Sequence, residues 1–346
     1  MTDGITVRRC EFHRDVDALL DLFGVVFGQR IDRLVWEWKH RLHPAGGSVS
    51  FVAEDAKDKV IAHFGYLPWR MRVAGRELIA CQGVDLMVHP DYRRRGLAYE
   101  LVTACRHQMI EKGWHYTFGF PGRASLHLGL KKIGYTHLLT LPYLTSPSRG
   151  LTATTRAARS VRNRMFWFRS SSSTETPGTI RVREIHAFDD TVNLLSRQLS
   201  GDNKVVTVRD AEFLNWRFFR HPINRYTVLS AEDENELQGY CVVRGREIVD
   251  LQAVDKPEVA SCLVAHSVRH IIQQGHDVAG SSFSSQSPGH NFLKNSGFTD
   301  SRLKIKSRGL RRRQPVIVLV NPSSPFKKTI LDPRVWTLSL SDTDFL

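Results

Sequence analysis

The chain has 346 residues, of which 41% are hydrophobic, 24% charged and 10% aromatic, fractions typical of a globular protein with about two domains rather than of a disordered or fibrous one. Its longest apolar run, residues 315–320, is far shorter than the roughly 20 residues of a membrane span. The net charge of +14 comes almost entirely from two basic runs without acids, at 149–169 and 302–313, so we expect no nucleic-acid partner.

Five cysteines are spread along the chain without a C-x-x-C pair, which argues against a disulfide framework and against a zinc site. We therefore expect no metal. The first residues carry Asp3 where a signal peptide carries basic residues, and no apolar stretch follows. Together these features predict a cytoplasmic protein with no transmembrane segment.

In the first 146 residues, alternating and helical hydrophobic spacings follow one another in a regular order. Alternation predicts a strand at 5–9, and helical spacing predicts helices over 16–23 and 31–41. The remaining predicted elements are strands at 48–54, 60–68, 70–73 and 78–88 (the last broken by Gly83), a helix over 96–112, a strand at 115–120, a helix over 125–132 and an extended segment after Tyr135. This order predicts a mixed sheet flanked by helices, an α/β (α+β) fold.

Residues 147–178 have the composition of a linker, because they end in serines, threonines, Pro177 and Gly178. Within them, apolar residues at helical spacing beside arginines predict a short basic amphipathic helix. Such a helix packs on a neighbouring domain or contacts an anionic surface weakly. The second basic run, 302–313, is expected to form either a solvated hairpin or a patch for an acidic partner. It also allows the same weak contact with an anionic surface.

Segments of the first half of the sequence recur in the second half in the same order. Trp38-Lys-x-x-x-His43-Pro44 recurs 178 residues later as Trp216-Arg-x-x-x-His221-Pro222. Four shorter matches begin at the pairs Ile5 and Ile180, Ala53 and Ala231, Val84 and Val249, and Ile133 and Ser296. The repeat predicts two tandem copies of one module, as domains at 1–146 and 179–346 joined by the linker at 147–178.

The segment 86–98, Leu-Met-Val-His-Pro-Asp-Tyr-Arg-Arg-Arg-Gly-Leu-Ala, joins a predicted strand to a helix that starts at Gly96. Backbone N–H groups at a helix start have no intrahelical partner and carry partial positive charge. Gly96 lets a ligand approach the backbone closely, and three arginines precede it. The segment therefore predicts an anion cradle that a pyrophosphate would fit.

The pattern Arg93-x-x-Gly96-x-Ala98 after a strand resembles the acyl-CoA signature of the GCN5-related N-acetyltransferase (GNAT) superfamily, and Gly134 followed by Tyr135 closes a later helix as in that family. The resemblance implies two tandem GNAT modules with acetyl-CoA as co-substrate. It implies that the pantetheine arm binds the strand backbone and the pyrophosphate binds the loop amides. The implied cofactor-binding residues are Leu86, Met87, Val88, Arg93, Arg94, Arg95, Gly96, Leu97 and Ala98.

The second copy lacks this loop. After Val254 it carries Asp255 and Glu258, and it has no glycine where a pyrophosphate should bind. Because the two acids would repel a pyrophosphate, we expect a degenerate second domain and one donor site per chain.

The resemblance implies that an amine attacks the thioester directly, which needs a base for the amine and sometimes a proton donor for the thiolate. Asp85 on the motif strand is the candidate base, although Asp250 at the matching place of the degenerate copy favours a structural role. The tyrosine that many members carry four residues before the closing Gly-Tyr is Leu130 here. Ser125 and His127, on the same short helix, are the candidate substitutes for it.

Three functions fit this sequence. The leading one is an acetyl-CoA-dependent N-acetyltransferase acting on a primary amine of a small molecule, with an amino sugar or related metabolite as one candidate acceptor. The second is a Fem-type peptidyl transferase that takes aminoacyl-tRNA, which the basic runs would suit and the intact loop argues against. The third is a non-catalytic module that binds acyl-CoA.

Overall fold

The computed structural model describes residues 4–146, 180–300 and 313–343. The predicted linker at 147–178, its basic helix, and the second basic run as far as Arg312 lie outside the described residues.

The first half of the chain contains all the helices and strands that its hydrophobic spacing predicts, with differences at two strands. Its elements are β1 (Thr6–Arg9), α1 (Phe12–Phe27), α2 (Arg33–His40), β2 (Val49–Glu54), β3 (Val60–Val73), β4 (Arg76–Val88), α3 (Leu97–Glu111), β5 (Tyr116–Gly119), α4 (Arg123–Leu128, continued by a π-helical turn, Gly129–Ile133) and β6 (Thr136–Thr145).

The described part of the second half begins with a similar order of elements. They are β7 (Arg181–Ile185), α5 (Thr191–Ser200), β8 (Val205–Thr207), α6 (Ala211–Leu214, continued by a π-helical turn, Asn215–Phe219), β9 (Thr227–Asp233), β10 (Glu236–Arg244), β11 (Glu247–Ala253), α7 (Pro257–Gln273), β12 (Gly280–Ser282), α8 (Pro288–Asn295), β13 (Thr299–Asp300), β14 (Arg313–Val320), α9 (Lys327–Ile330) and β15 (Trp336–Thr337).

The prediction of two strands at 60–68 and 70–73 is wrong, because β3 is continuous through Pro68. Along one edge, β3 pairs with β2 up to Tyr66 and with β8 from Met71. Pro68 lies between these two partners, where that edge is unpaired, so a residue without a backbone N–H fits there.

The prediction of a break in β4 at Gly83 is also wrong, because the irregularity of this strand lies two residues later. Val84 pairs with Gly65 and Met87 pairs with His63, so both Asp85 and Leu86 lie opposite the single residue Phe64. This is a β-bulge, and Asp85 adopts the left-handed conformation with φ of 51°.

One sheet runs through both halves of the chain, in the order β1-β2-β3-β4-β5-β14-β6-β12-β11-β10-β9-β7. β14 comes from the second half in sequence, yet it lies between β5 and β6 of the first half and pairs with both. The end of β6 in turn pairs with β12. The division of the chain at residues 146 and 179 stays a prediction, while the sheet itself crosses that division.

Two layers of helices cover the first half of the sheet. Apolar residues of α3, such as Leu101, pack on one face against Phe64 and Tyr66. Apolar residues of α1 and α2, such as Leu19 and Trp36, pack on the other face. Each layer buries one apolar side of the sheet, as expected for a mixed sheet flanked by helices.

The two copies of the repeated tryptophan motif contact each other. The rings of Trp38 and Trp216 stack with centroids 4.4 Å apart and planes 10° apart. Trp38 Nε1 donates to the carbonyl oxygen of Trp216 over 2.9 Å, and Trp216 Nε1 donates to that of Trp38 over 3.2 Å. His221 lies against Trp38 and His43 against Trp216, so the contact is reciprocal.

Candidate active site

β4 and β5 separate soon after they begin to pair. Their register contains Cys81 with Thr117 and Gln82 with Phe118, and the strands diverge beyond those pairs. A cavity of about 400 Å³ lies in this β4–β5 gap. Its lining includes side chains from both faces of the sheet, namely Phe64, Val102, Leu128, Ile133, Tyr135 and Ile317 from the α3 side and Val84, Phe118, Phe120 and Gln314 from the opposite side. The cavity therefore passes through the sheet.

The strand edge of β4 from Gly83 to Val88 faces this gap without a partner strand. The bulge adds one residue that the β3–β4 ladder does not pair, so backbone N–H and C=O groups remain at the edge. The predicted cofactor-binding residues Leu86, Met87 and Val88 lie here. Such an edge can bind an extended amide chain in the manner of an added strand.

The loop after β4 leaves a group of backbone donors without partners. Within the described part of the chain, no oxygen accepts a hydrogen bond from the amides of residues 94–98. Arg94 and Gly96 both have positive φ, of 66° and 88°, which turns consecutive N–H groups toward one side. Gly96 is the N-cap of α3, and the guanidinium groups of the three preceding arginines are exposed beside it. The residues present thus fit a pyrophosphate.

Asp85 lies at the cavity wall but its carboxylate is held by α2. Lys39 Nζ is 2.7 Å from Oδ2, and His40 Nε2 donates to the same oxygen over 2.9 Å. Burial disfavours the charged carboxylate, but the Lys39 ammonium and the His40 ring outweigh this effect and hold the pKa of Asp85 well below its usual value. A carboxylate with such a low pKa is a weak proton acceptor, so the geometry agrees with a structural role.

Two buried histidines surround this ion pair. Burial lowers the pKa of His40, and it lowers the pKa of His63 to about 4, so both rings are neutral at pH 7. His63 Nδ1 donates to the backbone carbonyl of Asp85 over 2.9 Å. The bulge is therefore fixed through both the side chain and the backbone of Asp85. Lys39 belongs to the repeated tryptophan motif, but neither that motif nor any other sequence pattern indicated its contact with Asp85 or those of His40 and His63, because these contacts join distant segments.

Ser125 and His127 differ in position although they share α4. Ser125 is half-buried and lines the cavity. His127 is exposed and lies outside the cavity lining. Leu130 occupies the π-helical turn after α4. Tyr135 also lines the cavity, where its hydroxyl is 2.9 Å from that of Tyr66.

The corresponding gap of the second half is filled by the end of the chain. β11 and β12 pair at Glu247 and Ile248, and beyond these pairs the segment 336–343 lies between them. Ser284 N donates to the carbonyl of Leu338 over 2.9 Å, and Ser339 Oγ donates to Asp250 over 3.1 Å. The space left there measures about 40 Å³. It is about a tenth of the volume of the cavity in the β4–β5 gap.

Asp250 shares a buried ionic network with the same segment. Arg209 Nε donates to Asp250 over 2.9 Å, and Arg209 Nη2 donates to Asp342 over 2.8 Å. Asp85 and Asp250 therefore have comparable structural roles with different cations, Lys39 in one case and Arg209 in the other.

A family profile described as an acetyltransferase (GNAT) domain matches residues 6–137. This range includes the bulge, both strands of the β4–β5 gap and the donor loop, which is the segment 93–98 with the unpaired amides. Residues 6–137 are a GNAT domain. The resemblance drawn from Arg93, Gly96 and Ala98 is thereby confirmed, and the chain is an acyltransferase. No curated protein matches the sequence at a significant level.

Several solved structures share the fold. A GCN5-related N-acetyltransferase from Anabaena variabilis is 13% identical, with 91% of this chain and 72% of that chain covered and a TM-score of 0.63. One from Kribbella flavida is 16% identical, with 92% and 71% covered and a TM-score of 0.60. Saccharomyces cerevisiae N-myristoyltransferase with bound myristoyl-CoA is 10% identical, with 95% and 88% covered and a TM-score of 0.59. The predicted mixed α/β sheet flanked by helices is confirmed.

Two absences hold for the residues that the structure describes. Among them, no helix is both long and apolar enough to cross a membrane. The same residues contain no group of three or more His, Cys, Asp or Glu side chains that could hold a metal ion.

Proposed function

We propose that the chain transfers an acetyl group from acetyl-CoA to a primary amine of a small molecule. The observation that carries this proposal is the continuity of the site. Unpaired amides at residues 94–98 lead to the free edge of β4, and that edge borders a cavity open to both faces of the sheet. An acyl-CoA entering from the α3 side would meet an amine entering from the α1 and α2 side.

The residues around the cavity can be given roles in this transfer. The neutral amine nitrogen attacks the thioester carbonyl carbon, the C–S bond breaks, and the proton that the nitrogen then loses passes through solvent to the leaving thiolate. A backbone N–H of the bulge near Met87 would stabilise the oxyanion. Ser125 would donate a hydrogen bond to the leaving thiolate, a role that exposed His127 does not match. Asp85 would act by fixing the bulge, and the amine would react in its neutral form after losing its proton to solvent.

The segment 336–343 supports a single donor site per chain, because it occupies the gap of the second half. The donor loop also favours acyl-CoA over aminoacyl-tRNA, since its free amides suit a pyrophosphate better than a long polyanion.

Titration calorimetry of acetyl-CoA into the wild-type protein and a Gly96→Glu variant tests the proposal. We expect about one site per chain with a micromolar Kd in the wild type. We expect no binding in the variant, because the new carboxylate would repel the pyrophosphate at the donor loop. Gly113→Glu is the matched control: Gly113 has a positive φ of 68° at the opposite end of α3, so it carries the same backbone strain away from the cradle.

Thiol release with glucosamine, 2-phenylethylamine and phenylalanine as amines then tests transfer. Binding of acetyl-CoA without turnover of any amine would favour the non-catalytic module. Absence of acetyl-CoA binding in the wild type would overturn the proposal and move the aminoacyl-tRNA alternative ahead of it.

A further inference from the structure

Gln314 is a buried polar residue in the wall of the cavity. It lies at the start of β14, is 2% exposed, and lines the β4–β5 gap. Its Oε1 is fully buried and accepts no hydrogen bond from the described residues. A buried acceptor without a donor is destabilising, and Gln82 Oε1 is unpartnered in the same way. Gln314 differs from Gln82 in lining the cavity, where a bound ligand can supply the donor.

The orientation of the Gln314 amide follows from its neighbours. Nε2 donates to the carbonyl oxygens of Pro121 and Pro315, over 3.3 Å and 3.4 Å. Carbonyl oxygens can only accept, so the end of the amide that faces them must be the NH₂ group. The unpaired end is therefore the oxygen.

Gln314 lies on the side of the sheet opposite the donor loop. Successive side chains of β14 point to opposite faces of the sheet, so Gln314, Val316 and Val318 share one face and Ile317 lies on the other. Val316 and Val318 belong to the core that includes Phe118, whereas Ile317 packs in the core beneath α3. The donor loop leads into α3, so the proposed acyl-CoA enters from the α3 face. Gln314 lies on the opposite face, from which the proposed acceptor amine enters.

The remaining polar groups of the described lining are already engaged or lie elsewhere. The Asp85 carboxylate contacts Lys39 and His40. The Tyr135 hydroxyl contacts that of Tyr66. Ser125 belongs to α4, which packs on the α3 face of the sheet and not on the face of Gln314. None of the described lining residues is a lysine or an arginine. A carboxylate or phosphate next to the reacting amine would therefore be buried there without a cation.

We propose that Gln314 Oε1 accepts a hydrogen bond from an N–H of the acceptor amine and so positions the nitrogen for attack. It is a positioning residue supplied by the second half of the chain to the cavity of the first. The acceptor class follows from the lining: a primary amine on an uncharged, partly apolar frame, without an anionic group beside the nitrogen. This inference rests on the proposed acetyltransferase function.

Two substitutions separate the oxygen from the NH₂ group. Gln314→Leu removes both, whereas Gln314→Glu keeps an acceptor oxygen and loses the donor to Pro121. The test amine is 2-phenylethylamine or glucosamine, whichever has the higher kcat/KM with the wild type. At pH 8 and saturating acetyl-CoA, we expect Gln314→Leu to raise the KM for this amine at least about tenfold. We expect Gln314→Glu to raise the KM clearly less than Gln314→Leu, because its carboxylate still accepts from the amine although it is buried without a cation. We expect both variants to bind acetyl-CoA within about twofold of the wild type.

Gln82→Leu is the matched control. Gln82 is 1% exposed, its Nε2 donates to a carbonyl, that of Asp342, and it lies outside the cavity lining. Its loss removes an equivalent buried amide, so we expect a lower melting temperature with the KM for amine within about twofold of the wild type.

The outcomes are distinct. Equal KM increases in both Gln314 variants would assign the effect to the Nε2 contact and overturn the proposal. Weaker acetyl-CoA binding with an unchanged amine KM would place Gln314 in the donor site and also overturn it. A kcat/KM for phenylalanine equal to that for 2-phenylethylamine would contradict the acceptor class. A wild type that binds acetyl-CoA but acetylates no amine would remove the proposed function itself, and this inference with it.

Discussion

Asp85 is the candidate base in the sequence, and in the fold its buried carboxylate is held in an ion pair. It holds a left-handed backbone conformation that non-glycine residues rarely adopt. Its side chain meets Lys39 and His40, and its carbonyl accepts from His63. These contacts stabilise the bulge, and the bulge determines which backbone groups face the cavity. Under the proposed function, the Asp85 carboxylate therefore acts by holding the backbone geometry and not as the base.

The buried histidines make the stability of this region depend on pH. The pKa of His63 is about 4 in the fold and about 6.5 in the unfolded chain, so the unfolded chain binds more protons between these values. The free energy of unfolding therefore falls as the pH drops from about 6.5 to 4. We expect His63→Phe to flatten this dependence in urea denaturation at pH 7, 6 and 5. The exposed His107, replaced by Phe, is the control, and an unchanged slope in His63→Phe would contradict the assignment.

At the scale of elements, the repeated motif serves as a contact between the two halves. α2 and the π-helical turn after α6 bring Trp38 and Trp216 face to face, with one hydrogen bond in each direction. Stacked aromatic pairs contribute about 0.5–1.5 kcal/mol beyond the area they bury. The tryptophans recur because each is one side of the same interface.

A double-mutant cycle measures this coupling. Trp38→Phe and Trp216→Phe each remove one indole donor and part of the stack. We expect each to lower the free energy of unfolding by about 1–3 kcal/mol and the pair to deviate from additivity by about 0.5–3 kcal/mol, because the two rings are in contact. Guanidinium denaturation followed by circular dichroism gives the values. The control cycle combines Trp38→Phe with Trp114→Phe, on the loop before β5, and we expect the effects of these two substitutions to add. Strict additivity of Trp38→Phe with Trp216→Phe would refute the coupling.

At the scale of the whole molecule, the sheet is shared rather than divided. β14 lies between β5 and β6, and it contributes Gln314 and Ile317 to the cavity. The donor loop belongs to the first half, and one wall of the cavity belongs to the second. Both halves therefore line the candidate active site, although the acyl-CoA signature was found in the first alone.

This sharing predicts that residues 1–146 do not fold alone. Without β14, the facing edges of β5 and β6 lose their common partner, and Val316 and Val318 leave a hole in the core. We expect the fragment to show no cooperative thermal transition and no acetyl-CoA binding. Co-expression with residues 180–346 should restore both. A fragment that melts cooperatively and binds acetyl-CoA would show that the strand exchange is dispensable.

The sequence by itself determined the elements of the first half, the mixed sheet and the donor loop. These features depend on local information: hydrophobic periodicity, and the glycine and arginines at the start of α3. The match of Asp85 with Asp250 also favours a structural role for Asp85, and that role stays a prediction. The break expected at Gly83 was wrong, because a bulge depends on how two strands are paired rather than on one residue.

Only the tertiary structure decided which distant residues share the site. Lys39 reaches Asp85 from another element, Gln314 arrives on a strand that follows β5 by almost 200 residues, and the segment 336–343 closes the second gap. Strand order and burial are set by packing over the whole chain, so no local pattern encodes them. The sequence by itself therefore predicts the donor loop, and the pairing of β14 with β5 and β6 decides that the second half lines the cavity.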